Sequence, residues 1–582
     1  MCGAGNPDSP PWHIVHFILI GLIAFSSQQA MFIGGQVFII EAVTAIWLMI
    51  PILFIQLKLG GMVQKSVYGL FHSYFPLLRG VAVTLLLQMF ITGTYWTALP
   101  VYYICAGFAS VGSEREAILS CANAWNTDTC RDSFTQYPDY GYNNVTWYPY
   151  YNERASSPID EYLAHKFFQW PETIPDDLGG FSYGLGFPAF PIALVITWIF
   201  IFLIVAFGPR VFAWVISILA VTTTIILIGV LGYGWNVVAK SGGGHAVTAL
   251  LYYYLPDFSR LGQANTWMLT IGRLGFIIPL WFGSLPTFGK LIGNGKILRN
   301  ITWLFVPLIA ATLRHLPALT IAPYQYAASV ATQRGMNEYL SIHINLQSAF
   351  HAFVSSPAHA SATFFFFFAG YIHYICNIAL MVLILVDNIL EAFDWLLKKC
   401  AYNRRIVWFV TTAIMSLVLM LLGLPFTTRA GYDILGIVDL AVYRLSFVPR
   451  YFLGLGLLVI YIWQKVAVAE RLVIGIWAFL AWAAWVVLGM VQSAQSSDVI
   501  HLFSGNVISK KWLIISWLIA AGPYIFIVLG VLVYVIQLVN RKHRSGGLLV
   551  NRDSSGEESA TLTKRGPDGT TNVEDVQLVS SF

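Results

Sequence analysis

Several polar residues stand where long apolar runs make them expensive, and their types narrow the chemistry they could do. The stretch Ala24-Phe25-Ser26-Ser27-Gln28-Gln29 sets two hydroxyls and two carboxamides inside an otherwise apolar run. A bilayer tolerates such groups against another helix or a wet cavity. A second run carries Pro279, which removes a backbone donor and interrupts a helix. Where helices break at mid-membrane, freed carbonyls coordinate cations and freed amides bind anions. The chemistry indicated is reversible binding of a small polar or ionic solute; ordinary helix packing and a plain proline kink are the alternatives. Arg273, and Arg314 with His315 near Pro317, are further charges in apolar runs that each need a partner. His351, His359 and His373 invite metal or acid–base chemistry, but no ligand pair at i, i+4 and no acidic dyad accompanies them. An enzyme is therefore not expected, nor a cofactor, nor a nucleic-acid partner.

The elements that must position these residues follow from composition. The chain has 582 residues, of which 57% are hydrophobic and 10% charged, with a mean hydropathy of +0.68. Soluble proteins carry about 25% charge, so most of this surface must face lipid. Apolar runs long enough to cross lie near 13–33, 37–57, 81–107, 189–208, 211–237, 266–287, 302–327, 361–387, 406–425, 435–463, 471–494 and 513–538. The first run lacks the basic flank of a cleaved leader, which leaves residues 1–11 as a cytosolic tail. The twelve-span body is 12–540.

Charge fixes the orientation. Lys58, Lys65 and Arg79 follow span two, Arg210 span four, Lys290, Lys296 and Arg299 span six, Lys398, Lys399, Arg404 and Arg405 span eight, and Arg541, Lys542 and Arg544 span twelve. Basic loops on one side place both termini in the cytosol. The acidic loop 108–187 then lies outside, with Cys121 and Cys130 as a candidate disulfide (two free thiols being the alternative) and a glycosylation sequon at Asn144. A second sequon at Asn300 falls on the cytosolic side and should be unmodified. Residues 541–582 are polar and read as a disordered cytosolic tail. Its end, Ser580-Ser581-Phe582, fits the C-terminal ligands that add a strand to a PDZ domain, although so short a match also arises by chance.

Four stretches, in order along the chain, carry a family resemblance. They are Ile50-Pro51-Ile52-Leu53-Phe54 with its exit through Gly60, Trp125-Asn126-Thr127 between Cys121 and Cys130, Tyr253-Tyr254-Leu255-Pro256 leading to Trp267, and Gly423-Leu424-Pro425 with Gly431 and Asp439. The chain thereby resembles the neurotransmitter:sodium symporters. The resemblance implies an all-α polytopic membrane protein of about twelve helices. Two inverted five-helix repeats are followed by two extra helices, with spans one and six discontinuous.

Carried over residue by residue, the resemblance assigns Ser26, Gln28, Tyr95, Phe276, Pro279 and Phe282 to the substrate. Gln28 lies where amine-specific members have an aspartate, which argues against a monoamine needing a counter-charge there. An aromatic cage of Tyr95, Phe276 and Phe282 could hold an ammonium group by cation–π attraction. Ala24, Ser27 and Ala369 would supply carbonyls to one weakened sodium site, at which Ile372 and His373 replace oxygen ligands; His373 could carry a proton instead. The other sodium site falls on Met31, Ile277 and Leu308, which offer no hard oxygen. Phe54 and Arg273 stand where the chloride site has a tyrosine and a glutamine. The family's span-one arginine is missing, and Arg273 is expected to pair with Asp439 as a substitute extracellular gate.

The expectation is a secondary active transporter taking up a small amine, amino acid or quaternary-ammonium solute across the plasma membrane. Sodium is the expected driving ion and chloride is doubtful. A transporter-shaped receptor or scaffold without coupled transport is the alternative. On either reading the expected partners are the lipid bilayer and, at the C-terminus, a PDZ protein.

Overall fold

A computed structural model describes residues 36–44, 46–47, 50–111, 114–130, 156–169, 188–240, 255–256, 258–262, 266–267, 283–292, 316–332, 345–356, 358–399, 403–445, 447–464, 468–495, 510–545, 562–565 and 571–574. Helices α1 (Gln36–Thr44), α2 (Ile50–Val63) and α3 (Val67–Tyr74) come first. Next are α4 (Arg79–Trp96), α5 (Ala98–Val111) and, in the loop that follows, α6 (Glu114–Ile118) and α7 (Pro158–Glu161). Helices α8 (Ala189–Ala206), α9 (Pro209–Lys240), α10 (Ser284–Ile292), α11 (Leu316–Thr332), α12 (Asn345–Ser355) and α13 (Ala360–Ala392) form the middle. The remainder is α14 (Asp394–Lys399), α15 (Arg404–Gly423), α16 (Gly431–Leu445), α17 (Phe447–Trp463), α18 (Val468–Gln495), α19 (Lys510–Ala521) and α20 (Ile525–Ser545).

Among the described residues, six helical stretches are long and apolar enough to cross a bilayer: Pro76–Val111, Ala189–Ala206, Pro209–Ala239, Ala360–Ala392, Arg404–Thr427 and Trp517–Asn540. Each overlaps an expected span. The differences have local causes. Gly208 adopts φ +94° and turns α8 directly into α9, a conformation that costs glycine little. Span twelve is interrupted where Pro523 cannot donate, so Gly522–Tyr524 forms a tighter turn between α19 and α20. Helix α12 lies between the expected spans seven and eight. In the tail read as disordered, the described residues are the end of α20 and a ladder of β1 (Leu562–Arg565) with β2 (Thr571–Glu574), Leu562 opposite Glu574.

Helix α13 is the axis of the core. Every residue from Tyr371 to Asn388 is buried, whereas α8, α15 and α20 present rows of exposed Ile, Leu, Val and Phe such as Ile192, Ile414 and Val528. Those rows suit lipid rather than water. Without a hydrophobic drive between spans, close approach through small residues does the packing. A Cβ on Gly370 of α13 would overlap the Tyr103 ring of α5, and one on Gly289 of α10 would overlap the Leu57 carbonyl of α2. Lys58, read from sequence as a cytosolic loop charge, is instead buried in α2, its ammonium 5.3 Å from the Phe54 ring and 5.6 Å from Tyr461. The apolar stem and aromatic faces make that burial tolerable.

Candidate functional site

Helix α4 carries Thr84, Gln88, Thr92 and Tyr95 at spacings that put them on one face. Each is at most 1% exposed. Tyr95 reaches across to α16 and donates its hydroxyl to Asp439 Oδ1 at 2.8 Å. Asp439 keeps part of its surface accessible. Its other oxygen has no hydrogen-bond partner among the described residues. Beside this pair, Trp96 meets Tyr374 of α13 edge-on at 6.2 Å, and Tyr374 lies 5.2 Å from Tyr103.

One turn along α13 from buried Ala369 lies His373, also buried. The Asn377 amide nitrogen is 3.0 Å from the His373 carbonyl, which can only accept, and 2.9 Å from His373 Nε2. The carbonyl thus orients the amide with its NH2 toward the ring, so Nε2 accepts and the neutral imidazole carries its proton on Nδ1. A second proton would have to displace Asn377.

The sequence-assigned residues Ala24, Ser26, Ser27, Gln28, Phe276, Pro279, Phe282, Arg273, Asn144, Ser580 and Phe582 lie outside the described residues, as do Met31, Ile277 and Leu308. Of the expected constellation, Tyr95 and Asp439 come together, and Ala369 and His373 share a face of α13. Cys121 and Cys130 are joined by a disulfide.

Two polar clusters were not anticipated. Lys290 of α10 places Nζ 2.9 Å from Asp387 Oδ2, 3.0 Å from Oδ1 and 2.9 Å from Glu391 Oε2. Glu391 Oε2 also accepts the Ser66 amide at 2.9 Å and its hydroxyl at 2.6 Å. The turn before α3, the end of α10 and the end of α13 are thereby fastened together. The signal was present as Asp387-Asn388 and Glu391, a turn apart at the end of an apolar run, but the sequence does not say which loop cation reaches them.

The second cluster organises the loop between spans three and four. Glu161 accepts the Thr127 amide at 3.1 Å and hydroxyl at 2.7 Å, a bond from the Ser156 hydroxyl, and an ion pair with His165 at 3.3 Å. Burial pushes its carboxyl up, but the bonds from His165, Ser156 and Thr127 outweigh this and hold it at about 2. Nearby, Lys166 lies 4.1 Å over the Trp125 ring, the Tyr162 ring stacks on Phe350 of α12 at 5.9 Å, and His351 of α12 meets Asp160 at 2.6 Å. The Trp125-Asn126-Thr127 stretch is therefore tied to the 156–167 segment, whose Asp160 and Tyr162 pack on α12.

A family model described as the sodium:neurotransmitter symporter family matches residues 28–481. The chain belongs to that family. Its solved fold is also matched: the crystal structure of MhsT in complex with L-phenylalanine superposes with a TM-score of 0.52 at 13% identity, covering 88% of this chain and 100% of that one. Curated relatives include the creatine transporter of Torpedo marmorata, 25% identical over 261 residues, which are 44% of this chain and 39% of that protein. The sodium-dependent serotonin transporter of Drosophila melanogaster is 24% identical over 247 residues, 40% of this chain and 34% of that one. The sodium- and chloride-dependent GABA transporter ine of the same species is 22% identical over 291 residues, 46% and 26% respectively. The alignments thus span 26% to 39% of these symporters' own lengths. The chain is a multi-pass membrane protein of the symporter family.

Proposed function

We propose that this symporter-family chain is a secondary active transporter that takes up a small amine, amino acid or quaternary-ammonium solute across the plasma membrane, with sodium as the driving ion. The observation that carries the reading is a polar pair, Tyr95 with Asp439, set between spans three and ten of a chain whose family match runs over residues 28–481. An ionisable group inside spans marks a substrate or ion path by default, since it is otherwise costly. The sodium-dependent relatives support the choice of ion. Ala24, Ser27 and Ala369 are the proposed sodium carbonyls, and Ser26, Gln28, Phe276, Pro279 and Phe282 complete the proposed pocket. Arg273 is proposed to close over Asp439 as an extracellular gate. Proton coupling at His373 is the secondary route and requires Asn377 to turn away.

The same reading puts both termini in the cytosol, a glycan on Asn144, a largely unstructured tail beyond 541 and a PDZ partner at Ser580 and Phe582. Replacement of oxygen ligands by Met31 and Ile277 favours the second reading, a receptor or scaffold of transporter shape. Uptake of a labelled solute panel into proteoliposomes, in sodium, choline-replaced and acidified buffers, separates them. Sodium-dependent uptake is expected. Uptake that follows acid alone moves the coupling to His373, and no uptake across the panel leaves the scaffold reading.

A further inference from the structure

The neutral Gln28 leaves the expected pocket without a counter-charge, but the fold supplies one elsewhere. Asp439 is aligned by a single bond from Tyr95, and that bond consumes the only proton the phenol can donate. What the pair offers a ligand is therefore carboxylate acceptors alone: the free lone pairs of Oδ1, and Oδ2, unbonded among the described residues. An ionised carboxylate in this setting is stabilised by a cation that brings N–H donors to it. Asp439 is partly accessible while Tyr95 is sealed at 1% exposure, so an arriving group meets the carboxylate with the phenol already locked behind it.

We infer that Asp439, oriented by Tyr95, is a specificity-determining residue that selects solutes bearing N–H cations, primary ammonium or guanidinium, over quaternary ammonium and over anions. This rests on the transport reading above and narrows its substrate class. A quaternary ammonium lacks the donors to satisfy Oδ2, although aromatic faces alone could still attract it. A carboxylate would be repelled by Asp439 and would find the Tyr95 proton already engaged. The same N–H chemistry could come from Arg273, so the test separates the protein's own guanidinium from the solute's.

The probes are agmatine, a plain alkyl primary amine, choline and a carboxylate of matched size, each competed against uptake and each followed by thermal shift of the purified full-length chain. Wild type is expected to prefer the two N–H cations at least tenfold over choline. Asp439→Asn should abolish that preference, read as the ratio of amine to choline binding in the thermal shift. Tyr95→Phe keeps the carboxylate and should retain the preference with weaker binding, which covers the case where Asp439→Asn fails to fold. Arg273→Gln should leave the preference intact. Equal losses for choline and amines in Asp439→Asn, loss of preference in Arg273→Gln, or a wild type that prefers choline or the carboxylate would each overturn the inference. Uptake confined to non-cationic solutes would overturn it while leaving transport standing; absence of any uptake would remove both.

Discussion

Replacing Glu161 by Gln keeps the size of the side chain and removes the charge that gathers Thr127, Ser156 and His165. The carboxyl is held at about 2 against an ordinary 4.5. A difference of that size corresponds to at most roughly 3 kcal/mol of loop stability. Because the folded loop binds the proton less tightly than the unfolded chain, the stabilisation is complete above about pH 4.5 and is lost as pH falls toward about 2. Hydrogen–deuterium exchange of the 121–130 peptide should therefore be flat from pH 7 to pH 5, after correction for intrinsic rates, and should accelerate below about pH 4. In Glu161→Gln it should already be fast at pH 7 and show no further acid-induced acceleration. Equal protection in the two proteins at pH 7, or loss of wild-type protection between pH 7 and pH 5, would refute the carboxylate as the organiser.

Lys290→Met strands Asp387 and Glu391 without their cation and should cost about 3–5 kcal/mol, read as a large fall in melting temperature; adding Asp387→Asn should recover part of it. Gly370→Ala drives a methyl into the Tyr103 ring and should cost about 1–3 kcal/mol, with Tyr103→Leu in the same chain restoring monodisperse protein. Cys121→Ser opens a loop with a sequence separation of 9 and should lose roughly 2–3 kcal/mol of local stability on a chain-entropy estimate, seen as proteolysis confined to that loop.

Much of the fold was legible because bilayer physics leaves few options. An apolar run of sufficient length must be a helix, and Ala189–Ala206 and Arg404–Thr427 announce themselves in sequence. Polar groups inside helices proved harder to read. Tyr95 and Asp439 were each assigned through the family resemblance, yet their bond joins positions 344 residues apart and depends on how α4 and α16 face one another. Lys58 misled for the opposite reason. Charge is normally a sign of a loop, but an ammonium on a long stem can lie against Phe54 and Tyr461 without leaving its helix. Glu161 was counted only as one of many acids in a loop, since nothing in its neighbours' types reveals that two threonine and serine hydroxyls will turn toward it.

The unbroken burial of Tyr371–Asn388 bears on how this chain can vary. A span that touches lipid tolerates change on one side, so its substitution record beats with the helical period of 3.6 residues. Helix α13 has no such side over about five turns. Variation along it should be suppressed evenly, without rhythm, while α15 and α20 drift on their outer faces. Membrane thickness and lipid type likewise have no direct purchase on Tyr371–Asn388 and can act on that stretch only through the helices that wrap it.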